Sequence, residues 1–224
     1  MAHRVSTTRP GVARPRPHDD VIAASGHDAP VAYLIVKRCI DVTGALLAMI
    51  IALPLLALGV AWVFIIDGRP VFYRQWRVGE GGWLFEILKL RTMYRDAEKH
   101  GAQWARDRDD RILPGSAWLR RMHIDELPQL WNILCGDMSL VGPRPERPEM
   151  IEALRPHLPH IEQRLAAPPG LTGLAQIRRG YTNDLAGAHR KLTLDLNYLR
   201  GRGLLADLRL LMMTLPRIWD RSAL

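Results

Sequence analysis

The chain has 224 residues, and its 31 lysines and arginines exceed its 23 acidic residues, which gives a formal net charge of +8. This excess indicates an anionic partner, such as a nucleic acid, a phospholipid or a phosphorylated small molecule. Cys39 and Cys135 are far apart and show no CxxC spacing, which argues against a disulfide framework and a zinc site and fits a reducing compartment.

The first 36 residues are predicted to form a disordered basic arm. They contain four prolines and little apolar pattern, and their arginines are Arg4, Arg9, Arg14 and Arg16. A secretory signal is not expected, because the long apolar run starts too late and no small-residue cleavage site follows it.

An apolar segment comes next, and residues 37–68 are predicted to form a membrane helix. Val42 to Ile66 contain no charge over 25 residues. A helix of that length reaches about 37 Å, enough to cross a bilayer core. Basic residues flank both ends, and Pro54 favours a kink near the middle. These features fit a bent helix that enters and leaves by one face, and a plain single span also remains open.

Residues 69–224 are predicted to form the globular domain. Residues 70–93 alternate apolar and polar side chains on both sides of GEGG, which predicts two strands joined by a glycine-rich turn. Lys89 and Arg91 are two positions apart, so on a strand they would point to one face. Residues 116–122 read as a short amphipathic helix.

The stretch RRMHIDELPQLWNIL, residues 120–134, places Asp125 and Glu126 just ahead of Pro128. One interpretation makes Asp125 an ordinary N-cap of a helix that runs to about Leu134. The other makes this helix start a site where both acids act together and where the unpaired N–H groups hold a phosphate. The residues alone leave both open.

Two turn-rich stretches follow. Arg144 lies between Pro143 and Pro145, so its backbone is stiff, and arginine suits bidentate binding of phosphate oxygens. Residues 168–181 form a second loop with Gln176, Arg178 and Arg179. The stretch 204–219 is expected to be a core helix, with a lipid-contacting surface as the alternative. No recognisable nucleic-acid motif appears, which weakens that class of partner.

Several stretches together resemble the bacterial sugar transferase family, the monotopic phosphoglycosyl transferases, also called polyprenyl glycosylphosphotransferases. They are KRCIDV, YRQWRVGEGGWLFEILKLRTM, LRRMHIDELPQLWNILCGDMSLVGPRP, PGLTGLAQ, and LDLNYL with LLADLRLLMMT. The resemblance runs from about Lys37 to Trp219, and its most specific part is DELPQLWNIL with GDMSLVGPRP at this spacing. The short arm makes the chain similar to the compact members that start exopolysaccharide repeat units.

The resemblance implies an enzyme that moves a sugar 1-phosphate from a UDP-sugar to undecaprenyl phosphate and releases UMP. Asp125 matches the family's nucleophile, which forms a covalent aspartyl-phosphosugar intermediate. Glu126 matches its partner in magnesium binding or proton handling, so Mg²⁺ is the expected cofactor, held by Asp125 and Glu126. Lys89 and Arg120 match positions near the donor diphosphate, and Arg144 matches the arginine of the PRP motif. The other expected substrate-binding residues are Arg91, Arg111, Gln176 and Arg179.

The patterns and the resemblance together predict an α+β fold: a mostly helical membrane-associated domain with a small β-hairpin and an N-terminal re-entrant membrane helix bent at Pro54. The resemblance places the catalytic domain on the cytoplasmic face of the bacterial inner membrane. It also allows a homodimer or a polysaccharide-assembly complex. The competing hypothesis is a non-catalytic, membrane-attached scaffold of polysaccharide assembly, in which Asp125 only caps a helix.

Overall fold

A single long helix opens the fold. The computed structural model describes residues 29–97, 99, 109–178 and 184–216, so most of the predicted arm lies outside the described residues. Helix α1, Val31–Asp67, contains Pro54 and is long and apolar enough to cross a membrane. It starts before the predicted boundary at residue 37, because the apolar residues 31–36 continue the helix.

The β-hairpin is confirmed. Strand β1, Phe72–Val78, pairs antiparallel with β2, Leu84–Leu90, around a short 3₁₀ turn at Glu80–Gly82. Gly81 and Gly82 adopt φ of 61° and 84°, a left-handed conformation that glycine reaches without steric cost. The GEGG sequence therefore reverses the chain tightly and returns β2 toward the core.

Two short helices follow the hairpin. Helix α2, Ala117–Arg121, confirms the predicted amphipathic helix, and α3 covers Gln129–Cys135. Between them a 3₁₀ turn, Ile124–Glu126, follows His123, which has φ of 54°. Histidine is one of the side chains that tolerates this left-handed conformation, and it ends α2 so that the acidic pair lies in a turn.

The second half of the domain contains a parallel strand pair that the sequence did not predict. Strand β3 lies beside β4, and the elements of this half are β3 Ser139–Val141, α4 Pro148–Leu154, a 3₁₀ turn Ile161–Leu165, β4 Gly170–Thr172, α5 Leu174–Ile177, α6 Leu185–Arg200 and α7 Leu204–Thr214. The pairing brings the VGPRP loop against the PGLTG loop. The chain is thus a mixed helix-and-strand domain with one long apolar helix.

Glycines make that close approach between the two loops possible. A methyl group on Gly170 would collide with the backbone of Gly142, and one on Gly173 would collide with the Gly142 carbonyl. Any larger residue at these positions would push the loops apart. The glycines of the two motifs therefore set how close the Arg144 loop lies to β4.

The core joins α1 to the domain on both sides of Pro54. Ala45 packs in one buried cluster with Phe85 and Ile133. Val63 packs in another with Leu90, Leu113, Leu119 and Ile124. Because Ile124 immediately precedes the acidic pair, this second cluster seats the turn directly on α1.

Helix α7 meets the expectation of a core helix on one face only. Of its residues, Asp207 and Leu210 are buried. Leu205, Leu208 and Met212 are 80%, 57% and 61% exposed, although their spacing puts them on one face. The core prediction therefore holds for one face of α7, where Leu210 packs with Tyr198 and Leu199, while Leu205, Leu208 and Met212 form an exposed apolar stripe.

Candidate functional site

The acidic pair lies in the 3₁₀ turn Ile124–Glu126 and not at the cap of a helix. Helix α3 begins only at Gln129, its N-cap position is Pro128, and no side chain caps it. The N-cap interpretation of Asp125 is therefore wrong. Pro128 cannot donate a backbone hydrogen bond, so the helix starts after the acids and leaves their side chains free for other partners.

Glu126 binds two cations from distant parts of the chain. Lys89 Nζ on β2 donates to Glu126 Oε1 at 2.6 Å. Arg144 donates to Oε1 at 2.5 Å and to Oε2 at 3.3 Å. Burial by itself raises the pKa of Glu126, but the charges of Arg144 and Lys89 hold its pKa well below the usual range. Glu126 therefore stays ionised and fixes both cations in place.

Asp125 is the less restrained member of the pair. Asp125 is only 8% exposed, yet no group among the described residues donates a hydrogen bond to its carboxylate. Burial and the charge of Glu126 raise the pKa of Asp125 to about 6, against the lowering influence of Lys89, Arg120 and Arg144. The result is a carboxylate with unshared oxygen lone pairs, next to several fixed positive charges.

Arg120 contributes an unused donor to the same place. It lies on α2, close enough for its charge to lower the pKa of Asp125. Its Nε is buried and has no hydrogen-bond partner within the described part of the chain. A buried donor without a partner costs free energy, which fits a site that a ligand completes. We call Lys89, Arg120, Asp125, Glu126 and Arg144 the dyad cluster.

Two other predicted residues, Arg91 and Arg111, bind partners outside this cluster. Arg91 follows the end of β2, and its guanidinium binds Asp67 and the carbonyls of Asp67, Gly68 and Pro70. The strand alternation that would align it with Lys89 stops at Leu90. Arg111 binds the carboxylate of Asp109 at 2.7 and 2.5 Å.

Gln176 lies on the short helix α5, so the predicted loop over 168–181 is wrong for the part that forms β4 and α5. Gln176 donates to the carbonyl of Leu171 at 3.1 Å and keeps a buried Oε1 without a partner in the described residues. Arg179 lies outside the described residues. The hydrogen bond ties Gln176 on α5 back to Leu171 on β4.

Asn132 supports the cluster, and the sequence reading missed it. From α3 its Nδ2 donates to Glu86 O at 2.8 Å, and its Oδ1 accepts from Leu88 N at 3.0 Å. These two bonds hold the backbone of β2 next to Lys89. An asparagine inside the apolar helix LPQLWNIL was the available signal, because a buried amide needs partners.

The carboxylates of Asp125 and Glu126 are the groups at this site that could bind a metal ion. Within the described ranges, no group of three or more His, Cys, Asp or Glu side chains could form a metal site. Mg²⁺ is often held by one or two carboxylates together with phosphate oxygens of a ligand. Asp125 and Glu126 fit that pattern, with Glu126 shared between the ion and its two cationic partners.

Comparison with known proteins adds the following. The family profile described as "Bacterial sugar transferase" matches residues 32–221. A Bacillus subtilis protein provisionally named undecaprenyl-phosphate N-acetylgalactosaminyl 1-phosphate transferase is 47% identical over 60% of this chain and 75% of its own. UDP-glucose:undecaprenyl-phosphate glucose-1-phosphate transferase of Caulobacter vibrioides is 37% identical over 95% and 75%. Exopolysaccharide production protein ExoY of Sinorhizobium fredii is 36% identical over 81% and 84%.

Proposed function

Because the chain belongs to the bacterial sugar transferase family, we propose that it transfers a sugar 1-phosphate from a UDP-sugar to undecaprenyl phosphate, as a starting step of exopolysaccharide synthesis. The names of its relatives support the reaction class: two specify undecaprenyl-phosphate sugar-phosphate transfer and a third specifies exopolysaccharide production. The two sugars they name differ, so the proposal stops at the class of donor.

One observation carries the proposal: no group in the described part of the chain donates a hydrogen bond to the Asp125 carboxylate, which lies among cations that suit a diphosphate. A carboxylate whose lone pairs are unshared can attack phosphorus, whereas one bound by arginine and lysine cannot do so readily. Glu126 is held in that second way. We therefore assign the nucleophile to Asp125 and the support of the cations to Glu126.

The first step forms an acyl phosphate. A carboxylate oxygen of Asp125 bonds to the phosphorus that carries the sugar, and the bond from that phosphorus to the bridging oxygen breaks. UMP leaves with the electron pair of that bond. Glu126 fixes Lys89 and Arg144 before the reaction, so their charges stabilise the departing phosphate without reorganisation, and Arg120 adds a further positive charge.

The second step returns the enzyme to its starting state. A phosphate oxygen of undecaprenyl phosphate bonds to the same phosphorus, and the bond to Asp125 breaks. The carboxylate is regenerated, and the lipid-linked diphosphosugar leaves. Asp125 and Glu126 would hold Mg²⁺ together with the donor's phosphate oxygens, and the ion would neutralise part of the diphosphate charge.

The test is to separate the two half-reactions. The purified full chain in lipid nanodiscs is incubated with Mg²⁺ and a panel of sugar-labelled UDP-sugars, first without undecaprenyl phosphate. We expect labelled sugar phosphate on the protein and stoichiometric UMP, and no label on the Asp125→Asn variant. UMP release that requires both substrates, with no labelled protein, would contradict the covalent step. The absence of UMP with every donor would contradict the transferase.

We also propose that α1 is re-entrant, with both ends on the cytoplasmic face. Before Pro54, Arg38 donates to Ile133 O at 2.6 Å and to Leu134 O at 2.8 Å. After Pro54, Asp67 pairs with Arg91. A straight helix crossing a core of about 30 Å would place one set of these charged contacts on the far side of the bilayer from the domain, or within it.

The exposed apolar residues support a seat in one leaflet. Ile50 and Ile51, close to Pro54, are 70% and 77% exposed, which suits the deepest part of a bent helix. The stripe of α7 offers a second apolar surface, and α7 is tied to α1 by the ion pair between Lys37 and Asp207 at 3.0 Å. Such a seat would keep the dyad cluster at headgroup depth, where the acceptor phosphate lies.

Cysteine labelling tests this topology. With Cys39 and Cys135 changed to serine, Val31→Cys and Arg69→Cys place one thiol at each end of α1, and Arg155→Cys provides a domain control. We expect an impermeant maleimide to modify all three in inverted vesicles and none in right-side-out vesicles. Labelling of the two helix ends from opposite sides would mean a single span.

A further inference from the structure

The loop that presents Arg144 is held by an unusually complete set of contacts. Four consecutive carbonyls each accept a hydrogen bond, and the donors come from three segments. Pro143 O accepts from Gly170 N at 2.9 Å and Arg144 O from Arg164 Nη2 at 2.8 Å. The adjacent β1 residues Arg77 and Val78 serve the other two: Pro145 O accepts from Arg77 Nη1 at 3.1 Å and Glu146 O from Val78 N at 2.9 Å. Pro143 and Pro145 have no N–H, so the carbonyls are the groups by which this stretch can be fixed.

Arg164 is the donor that acts on Arg144 itself. It lies on the 3₁₀ turn Ile161–Leu165 and is 4% exposed. Its Nε and Nη2 both bind Asp195 Oδ2, at 3.0 and 2.7 Å, while Nη2 also donates to Arg144 O. Asp195, on α6, is 2% exposed. One carboxylate therefore orients a guanidinium, which in turn orients the backbone of the arginine that binds Glu126.

The hydrogen bond from Arg164 to the Arg144 carbonyl constrains the direction of the Arg144 side chain. A residue before proline is confined to extended backbone, so the main remaining freedom is rotation of the peptide plane between Arg144 and Pro145. A hydrogen bond to the Arg144 carbonyl fixes that plane and hence the direction of its Cα–Cβ bond. Arg144 reaches Glu126 at 2.5 Å from this backbone orientation.

We propose that Asp195 and Arg164 are a positioning pair that aims Arg144 at the dyad and at the donor diphosphate. The proposal rests on the proposed function for its catalytic meaning. Neighbouring charges support the pair: Arg164 lies 3.7 Å from Glu146, which also binds Lys191. We call Glu146, Arg164, Lys191 and Asp195 the Arg164 cluster.

A double-mutant cycle on turnover distinguishes positioning from simple stabilisation. Arg164→Lys keeps the positive charge but loses the planar fork that serves Asp195 and Arg144 O together. In the native background we expect it to lower kcat/KM for the UDP-sugar about 10- to 100-fold, the scale of a misplaced binding group. In an Arg144→Lys background the same change should have little further effect. The control is Arg155→Lys, which alters an exposed pair with Glu152 and should leave turnover unchanged.

Equal losses from Arg164→Lys in both backgrounds would overturn the proposal, because the effect would not pass through Arg144. A second measurement does not depend on activity. A crystal structure of the full-chain Arg164→Lys variant should show Arg144 displaced from Glu126. An unchanged contact between them would reject positioning even if turnover fell. Displaced Arg144 in a protein that releases no UMP with any donor would uphold positioning and reject the transferase.

Discussion

Two groups of charged side chains, the dyad cluster and the Arg164 cluster, differ in how their carboxylates are bound. In the Arg164 cluster, Asp195 is bound by Arg164, and Glu146 is bound by Lys191. In the dyad cluster, Glu126 is bound in the same manner, whereas Asp125 lacks a hydrogen-bond donor among the described residues. Both groups are built from the same residue types, so the difference lies in geometry.

The pKa values of Glu146 and Asp125 reflect this difference in how the carboxylates are bound. Burial raises the pKa of both kinds of acid, but Lys191 and Arg164 overcome it and bring the pKa of Glu146 down to about 2. For Asp125, burial and Glu126 prevail and the pKa rises to about 6. A carboxylate kept at a raised pKa in a charged site is costly to fold, and such groups gather where chemistry is done. The Arg164 cluster thus holds its carboxylates ionised and paired, which suits a positioning role, whereas the dyad cluster leaves one carboxylate with a raised pKa.

Loss of turnover in Asp125→Asn is the largest expected effect. Removal of the nucleophile should lower UMP release by about 10³-fold or more, as for other enzymes that lose the attacking group. Asp110→Asn, at an exposed turn position, is the matched control and should keep native turnover. An Asp125→Asn protein that works near the native rate would show that both clusters are structural.

The same substitution should have opposite effects on stability in the two clusters. At neutral pH, Asp125→Asn removes a charge that burial disfavours and should raise the free energy of unfolding by about 1–3 kcal/mol. Asp195→Asn removes the carboxylate that is hydrogen-bonded to buried Arg164 and leaves Glu146 3.7 Å away, so it should lower that free energy by about 3 kcal/mol. Thermal or denaturant unfolding in matched detergent checks the signs. If both variants were less stable than the native protein, the two clusters would not differ in how they contribute to stability.

The pH dependence of activity follows from the raised pKa of Asp125. The nucleophile must be ionised, so donor turnover should fall on the acid side of pH 6 and be about tenfold below its plateau at pH 5. The sign for stability is the reverse. The folded protein keeps the proton up to about 6, whereas the ordinary value is 3.8, so ionisation between these values costs stability as pH rises. A pH–rate profile of UMP release, with unfolding followed over the same range, tests both.

The smallest expected effect concerns Glu126→Gln. In this variant the fall of turnover at acid pH, the acid limb of the pH–rate profile, should shift along the pH scale. The charge of Glu126 raises the pKa of Asp125, and its loss also leaves Lys89 and Arg144 facing Asp125. The limb should therefore move to lower pH, whatever happens to the plateau rate. Glu152→Gln, at an exposed position, should leave the limb in place. A limb that moves to higher pH would mean that Glu126 does not act on Asp125 through its charge.

Some of the site could be predicted from the sequence and some could not. The acidic pair ahead of Pro128 and Arg144 between prolines were readable from local pattern, whereas the site role of Lys89 followed only from the family resemblance. The structure brings these residues together. Arg91 was misjudged because the alternation was extended one step past the end of β2. Asp195 was missed, although an acid on the same helical face as Leu192 and Leu199 was a signal that a buried cation must meet it.

The fold shows the same division. Alternation around GEGG predicted the hairpin, and the uncharged run predicted α1, since each is a periodicity carried by neighbouring residues. The pairing of β3 with β4 was out of reach, because strands of three residues have no usable period and glycines in two distant loops permit their contact. The apolar stripe of α7 was visible, but whether it faced the core or the surface was not.

The sequence by itself determined which residues are apolar, which backbone positions are stiff, and that two acids stand together among basic residues. Only the tertiary structure decided which acid is bound by Lys89 and Arg144 and which remains unbound. The reason is physical: helix and strand periodicity act over a few residues, whereas a carboxylate's pKa depends on burial and on charges that the fold brings from far along the chain.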